Sequence, residues 1–138
     1  MLFPMYTSGV TKFAYRIFYA AAKSNLLRPA LVWGIAHMSF FNSDRVIFET
    51  DSLICFHHPQ PGYPVHILMV PKKAIKDLLH LDPEDSHFIS DVLTVTRSLV
   101  ESMNLKENGY RLVVNGGPYQ DFPQLHFHLI SGEHSQLP

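Results

Sequence analysis

Gln124-Leu125-His126-Phe127-His128-Leu129-Ile130 alternates polar and apolar side chains over seven positions. A period of two marks a strand with two different faces. Gln124, His126, His128 and Ile130 then share one face, and Leu125, Phe127 and Leu129 share the other. The apolar face suits a core. The opposite face aims two imidazoles, about 7 Å apart along a strand, at one place. Imidazole titrates near neutral pH and serves as base, nucleophile or ligand. The strand is therefore a candidate reactive site; the plainer alternative is an edge strand with a solvated histidine face.

Composition frames this stretch. The 138 residues fit one domain, and 46% hydrophobic with 12% aromatic residues supports a core rather than disorder. A formal net charge of −1 gives no reason to expect a nucleic-acid polymer as partner. The single cysteine, Cys55, excludes an intramolecular disulfide and reads as a small buried hydrophobe. Nine histidines are spread along the chain, which is not the pattern of a tag.

Charge is unevenly placed. The stretch before Asp44 holds Lys12, Arg16, Lys23 and Arg28 and no acid. A boundary is therefore expected at Asn42-Ser43-Asp44, with residues 1–43 as an N-terminal helical extension and 44–138 as the main domain. Val10 to Lys23 reads as a helix with Phe13, Ile17, Ala20 and Ala21 on one face. Pro29 suits the first turn of a second helix, Ala30 to Met38. No run is long enough to span a membrane, and no secretory signal is evident. Two helices packed on the domain, or across a dimer interface, are the favoured reading in a cytoplasmic protein. Membrane-surface contact of residues 10–40, or an organelle presequence, is the alternative.

Beyond Asp44 the pattern turns to strands. Arg45 to Glu49 and Ser52 to Phe56 flank a turn at Thr50-Asp51. His57 to Pro64 holds three prolines and a glycine and reads as a rigid loop. Val65 to Val70 is apolar on both faces and reads as a central strand. Ile75 to Leu79 suggests a short helical turn. Asp82 caps a long helix with Pro83 in its first turn. Phe88, Ile89, Val92, Val95, Leu99 and Met103 recur at helical spacing as its core stripe. Gly109 ends it, Tyr110 to Asn115 is a strand, and Gly116-Gly117-Pro118 leads toward the histidine strand. The expected fold is α+β: an antiparallel five-stranded sheet with one long covering helix, plus the N-terminal extension.

Several blocks together carry a resemblance. Arg45-Val-Ile-Phe-Glu49, Ser52-Leu-Ile-Cys-Phe-His57, Pro61-Gly-Tyr-Pro-Val-His66-Ile-Leu-Met-Val-Pro-Lys-Lys73 and Gly109-Tyr-Arg-Leu-Val-Val-Asn115 stand in order before the histidine strand. The region from Asp44 to Gly132 resembles the histidine triad (HIT) family, close to its nucleoside phosphoramidase branch. The resemblance implies attack by His126 on the α-phosphorus of a nucleotide conjugate. A nucleotidyl-histidine forms, and water then releases the nucleoside monophosphate. It implies that His128, His66, Gln120 and Gln124 assist, that Asn115 and Asp121 contact phosphate or leaving group, and that Ile47, Phe48, Phe56, His57, His58 and Pro59 surround the nucleoside. It implies a homodimer, a small-molecule substrate, and no cofactor or metal.

Three positions depart from the family pattern. Gln124 stands where the first triad histidine is expected, Asp121 where a serine usually follows the glutamine, and His58 where an aspartate binds ribose hydroxyls. The loop between Asn115 and Gln120 is also two residues shorter than in the phosphoramidase pattern. These departures motivate an alternative: a degenerate HIT domain that binds a nucleotide or anion without turnover. A third reading is a metal site made of His126, His128 and either His57 or His66.

Overall fold

The structure is a computed structural model that describes residues 9–38 and 43–135. Asn42, the first residue of the expected boundary, lies outside the described residues. Two helices, α1 (Gly9–Lys23) and α2 (Arg28–Ala36), precede the sheet. Strands β1 (Val46–Glu49), β2 (Leu53–His57) and β3 (Val65–Pro71) follow. Helix α3 (Ser86–Ser102) and a single turn, α4 (Leu105–Asn108), lead to β4 (Arg111–Val114) and β5 (Phe127–Ser131). All pairs are antiparallel, in the order β1-β2-β3-β5-β4. The expected α+β sheet with one long helix is therefore present.

The entry to α3 is settled by its first residues. The Asp82 carboxylate accepts from Glu84 N–H at 3.0 Å, and the Asp85 carboxylate accepts from Asp82 N–H at 3.2 Å. This reciprocal cap makes Pro83–Asp85 a tight 3₁₀ turn, so the α-helix proper starts at Ser86. Phe88, Val92, Val95 and Leu99 are buried on its inner face, whereas Met103, expected there, lies past the last turn and is exposed. Asn104 adopts φ 55°, a left-handed conformation that stops the helix. Asp91 ties α3 to the β1–β2 turn by accepting from the Thr50 and Ser52 hydroxyls at 2.6 and 2.5 Å. The short turn expected from Ile75 begins later, at Leu78–His80, because Asp77 caps it.

Alternation sorts the sheet into two faces. Leu53, Cys55, Ile67, Met69, Phe127 and Leu129 face α3 and form the larger core. Ile54, Phe56, Leu68 and Val70 face the other way and meet Ile35 of α2, with Phe18 and Met38 packed alongside. The N-terminal helices thus cover the second face. The face expected for α1 is corrected: Ile17 and Ala20 are exposed, and Phe18 and Ala22 turn inward. Burying an aromatic ring against Phe122 removes more apolar area from water than burying Ala20 does. The side chain of Phe13 lies outside the described residues. Leu26, Leu27 and Trp33 remain exposed.

Candidate active site

Register brings the imidazoles together. Leu68 lies opposite His128, and His66 opposite Ile130, on β3 and β5. His66 and His128 are therefore diagonal neighbours on one face, and His66 Nε2 lies 2.9 Å from His128 Nδ1. His58 stacks on His66 with ring centroids 4.2 Å apart. His126, just ahead of β5, meets His128 edge-on at 4.9 Å. The loop carrying His58 is pinned from the far end of β5. Gly132 has φ 89°, and a Cβ there would lie 2.7 Å from Pro64 Cγ, so only glycine lets the two segments close.

Partner atoms fix where each proton sits. A neutral imidazole has one N–H and one lone pair. Gly62 N–H donates to His66 Nδ1 at 2.9 Å, so the His66 proton is on Nε2, from which it is donated to His128 Nδ1. The His128 proton is then on Nε2, which is buried and has no partner among the described residues. Gln60 N–H donates to His58 Nδ1 at 2.9 Å, which likewise places that ring's proton on Nε2. His126 is set the opposite way. Its Nδ1–H donates to the main-chain carbonyl of Gln124 at 2.7 Å, leaving the Nε2 lone pair unengaged by that bond. One ring presents a lone pair beside another that presents an unsatisfied N–H.

Burial keeps these rings uncharged at neutral pH. Desolvation, helped by neighbouring His58, His128, His134 and His126, pushes His66 down to about 3. Desolvation and His126 push His58 down to about 4. Desolvation, His126 and His58 push His128 down to about 4. His126 is also lowered by burial, opposed by its bond to the Gln124 carbonyl and by the Asp121 carboxylate.

His58, His126 and His128 open into a cavity of about 170 Å³. Phe56, Asn115, Asp121 and Gln124 line it too, as expected, and His66 stands behind His128. Gln124 is a partial correction. It is not in the strand, because Leu125 N–H donates to Ile75 O at 2.7 Å and this segment pairs with the loop after β3. The Gln124 side chain is 1% exposed. Its Nε2 donates to Lys73 O at 2.9 Å and Pro71 O at 3.3 Å, and its Oε1 accepts from Ile75 N–H at 3.1 Å. What it offers His126 is its main-chain carbonyl.

Other expected residues stand elsewhere. Gln120 donates its amide to Lys76 O and Phe122 O, both at 2.8 Å, and is not among the cavity residues. His57 lies opposite Ile67, on the α3 side of the sheet. Ile47 packs on the α3-side core, and Phe48 pairs with Cys55 across a register shift between Val46 and Phe48. Alternation from Val46 puts Ile47 on the α3 side, and the irregularity, by pairing Phe48 with Cys55, turns Phe48 to that side as well. Pro59 also lines the cavity, and sequence reasoning missed Phe18, Tyr19, Ile35, Met38, Leu68, Val70, Tyr119 and Phe122, which complete the lining. The acid-free aromatic helices were visible, but nothing in their local pattern says which face meets the sheet.

A metal fits this arrangement poorly. His58, His66 and His128 each place a ring nitrogen within 4.8 Å of the other two. The lone pairs of His58 and His66 already accept main-chain N–H groups, and a metal needs those lone pairs. His57, one of the ligands expected in that reading, is on the other face. Convergent N–H donors suit an anion instead.

Comparison with known proteins agrees with this geometry. Residues 40–135 match the family model for the HIT domain. A HIT-like protein of Synechococcus elongatus is 34% identical over 95 residues, covering 67% of this chain and 82% of that protein. One from Buchnera aphidicola is 30% identical over 91 residues, covering 64% and 81%. The crystal structure of a HIT family hydrolase from Legionella pneumophila superposes with a TM-score of 0.60 at 31% identity, covering 68% of this chain and 86% of that one. A histidine triad nucleotide-binding protein from Candida albicans gives 0.57 at 25% identity, covering 72% and 80%. No helix among the described residues is long and apolar enough to cross a membrane. The family model covers more than half of the chain, and the chain belongs to the HIT family.

Proposed function

We propose that the chain is a nucleotidyl hydrolase or transferase. It acts at the α-phosphorus of a nucleotide conjugate of the phosphoramidate or dinucleoside polyphosphate type. One observation carries this reading: the Nδ1–H bond of His126 to the Gln124 carbonyl leaves its Nε2 lone pair beside the unpartnered Nε2–H of His128. The first is a nucleophile and the second a donor without an acceptor.

In the first step the Nε2 lone pair of His126 forms a bond to phosphorus, and the bond to the leaving group breaks with its electron pair. A departing amine takes its proton from water. His128 Nε2–H donates to a phosphoryl oxygen as charge builds there. His66 holds His128 in that tautomer, and Gly62 holds His66. The nucleotidyl imidazole keeps its Nδ1–H and is cationic, so the Gln124 carbonyl and the Asp121 carboxylate stabilise it. Asp121 therefore has a use although it faces an anion. In the second step water attacks phosphorus, the N–P pair returns to Nε2, and the water's surplus proton leaves to solvent.

We propose that the active form is a homodimer paired edge to edge through β4, one of the two end strands of the sheet. Sedimentation at twice 15.8 kDa supports this, and a monomer removes it. The reaction is tested by intact-mass measurement after mixing with adenosine 5′-phosphoramidate. Release of AMP, or a transient adduct of one nucleotidyl group, both lost in His126→Ala, supports the reading. AMP binding with neither product leaves a binding domain, for which the Asp121 carboxylate at the cavity is the favouring observation.

A further inference from the structure

The HIT match begins at residue 40, yet part of the cavity wall comes from before it. Phe18 of α1 stacks on Phe122 with ring centroids 5.0 Å apart and planes 13° apart. Tyr19 meets the same ring edge-on at 5.8 Å. Phe18, Tyr19 and Phe122 all line the cavity. Phe122 follows Asp121 directly in the segment leading to His126. The Phe122 carbonyl is held by the Gln120 amide at 2.8 Å. An aromatic cluster on a helix outside the family match is thus tied to the segment that carries the nucleophile.

We infer that Phe18 and Tyr19 determine specificity: with Phe122 they form one aromatic wall of the cavity, against which a single flat, non-anionic ring system packs, and they limit its size. The inference rests on the nucleotide reading above. Stacked rings present apolar, flat surfaces, and these suit the face of a nucleobase. Among the described lining residues there is no lysine or arginine, and Asp121 is the only carboxylate, so nothing favours an anionic ring. A volume of about 170 Å³ is below the roughly 300–1,000 Å³ that takes a drug-sized ligand.

Calorimetric titration of the full chain tests this with three probes: AMP, the ring-enlarged etheno-AMP, and inorganic phosphate. The wild type binds AMP more tightly than either of the others. Phe18→Ala weakens AMP about tenfold, the scale of a lost stacking contact, and shifts preference toward etheno-AMP. Ile17→Ala, on an exposed α1 position, leaves both unchanged. Phe18→Trp carries a larger ring into the cavity: AMP affinity falls to that of phosphate, while phosphate binding persists and reports a folded site even where Phe18→Ala is unstable. AMP binding unaffected by both Phe18 variants overturns the inference, as does a wild type that binds AMP no better than phosphate. AMP binding that depends on Phe18 without any His126 adduct sustains the aromatic wall and removes the reaction. Adduct formation indifferent to Phe18 does the reverse.

Discussion

The two faces of the sheet differ in what they leave unsatisfied. On the α3 side, Leu53, Cys55, Ile67, Met69, Phe127 and Leu129 pack on Phe88, Val92, Val95 and Leu99. Burial there pushes the Cys55 thiol up to about 12, so it is an inert packing group. Even the buried Thr96 hydroxyl finds a partner, in Met69 Sδ at 3.6 Å. On the other side the same strands carry His66 and His128, a cavity, and a buried N–H with no acceptor. A face in which every group is matched sets stability. A face with one donor left over is poised for a ligand.

That contrast can be broken by one substitution on each face. The largest effect is expected from His126→Ala, which removes the proposed nucleophile: turnover falls by about 10⁴-fold or more while the thermal midpoint stays close to wild type. Single-turnover kinetics alongside calorimetry measure both. Leu129→Ala, on the α3 face and fully buried, costs about 2–5 kcal/mol of stability through lost burial and a residual cavity. Its turnover stays within a few-fold under conditions where it is folded. A catalytic collapse in folded Leu129→Ala breaks the division between the faces.

His128→Ala comes next, with about 10²–10³-fold lost from kcat, the usual loss when one transition-state donor is removed. The same cluster predicts how stability follows pH. His58, His66 and His128 have folded pKa values lowered from 6.5 to about 4, 3 and 4. Between those values and 6.5 the unfolded chain binds more protons than the folded one, so stability rises with pH there. The thermal midpoint is therefore flat above about pH 7 and falls as pH drops from 6.5 toward 4. His66→Phe, measured over the same range, shows a shallower fall. An unchanged slope means the imidazoles are not the groups responsible.

What the chain discloses before folding follows the same division. Alternation and helical spacing made the α3-side core legible, because Phe88, Val92, Val95 and Leu99 recur locally and Leu125, Phe127 and Leu129 alternate locally. His126 and His128 were legible for the same reason. Their supporting shell was not, because it is assembled from distant segments. Gln124 continues the period-2 pattern in sequence, yet Pro71, Lys73 and Ile75 supply hydrogen bonds that draw it out of the strand. Alternation from Val46 sends Ile47 to the α3 side, and a single register shift between Val46 and Phe48 sends Phe48 there too. Phe18 and Tyr19 reach the site only through a helix whose inward face its own sequence does not select.

The smallest expected effect sharpens the role of residue 124. Gln124→His restores the histidine of the family pattern at a position where the side chain faces the loop after β3. Gln124 makes three bonds there, two as donor and one as acceptor. A neutral imidazole has one donor and one acceptor, enough for Lys73 O and Ile75 N–H but not for Pro71 O, the longest of the three at 3.3 Å. Losing that bond costs about 1 kcal/mol. The main-chain carbonyl of residue 124 stays in place, so His126 keeps its tautomer, and kcat changes by less than about tenfold because no transition-state contact is removed. A gain of about a hundredfold or more in Gln124→His, read by steady-state release of AMP, gives a different answer. The side-chain proton of residue 124 then takes part in the chemistry, and orientation of His126 by the carbonyl alone is insufficient.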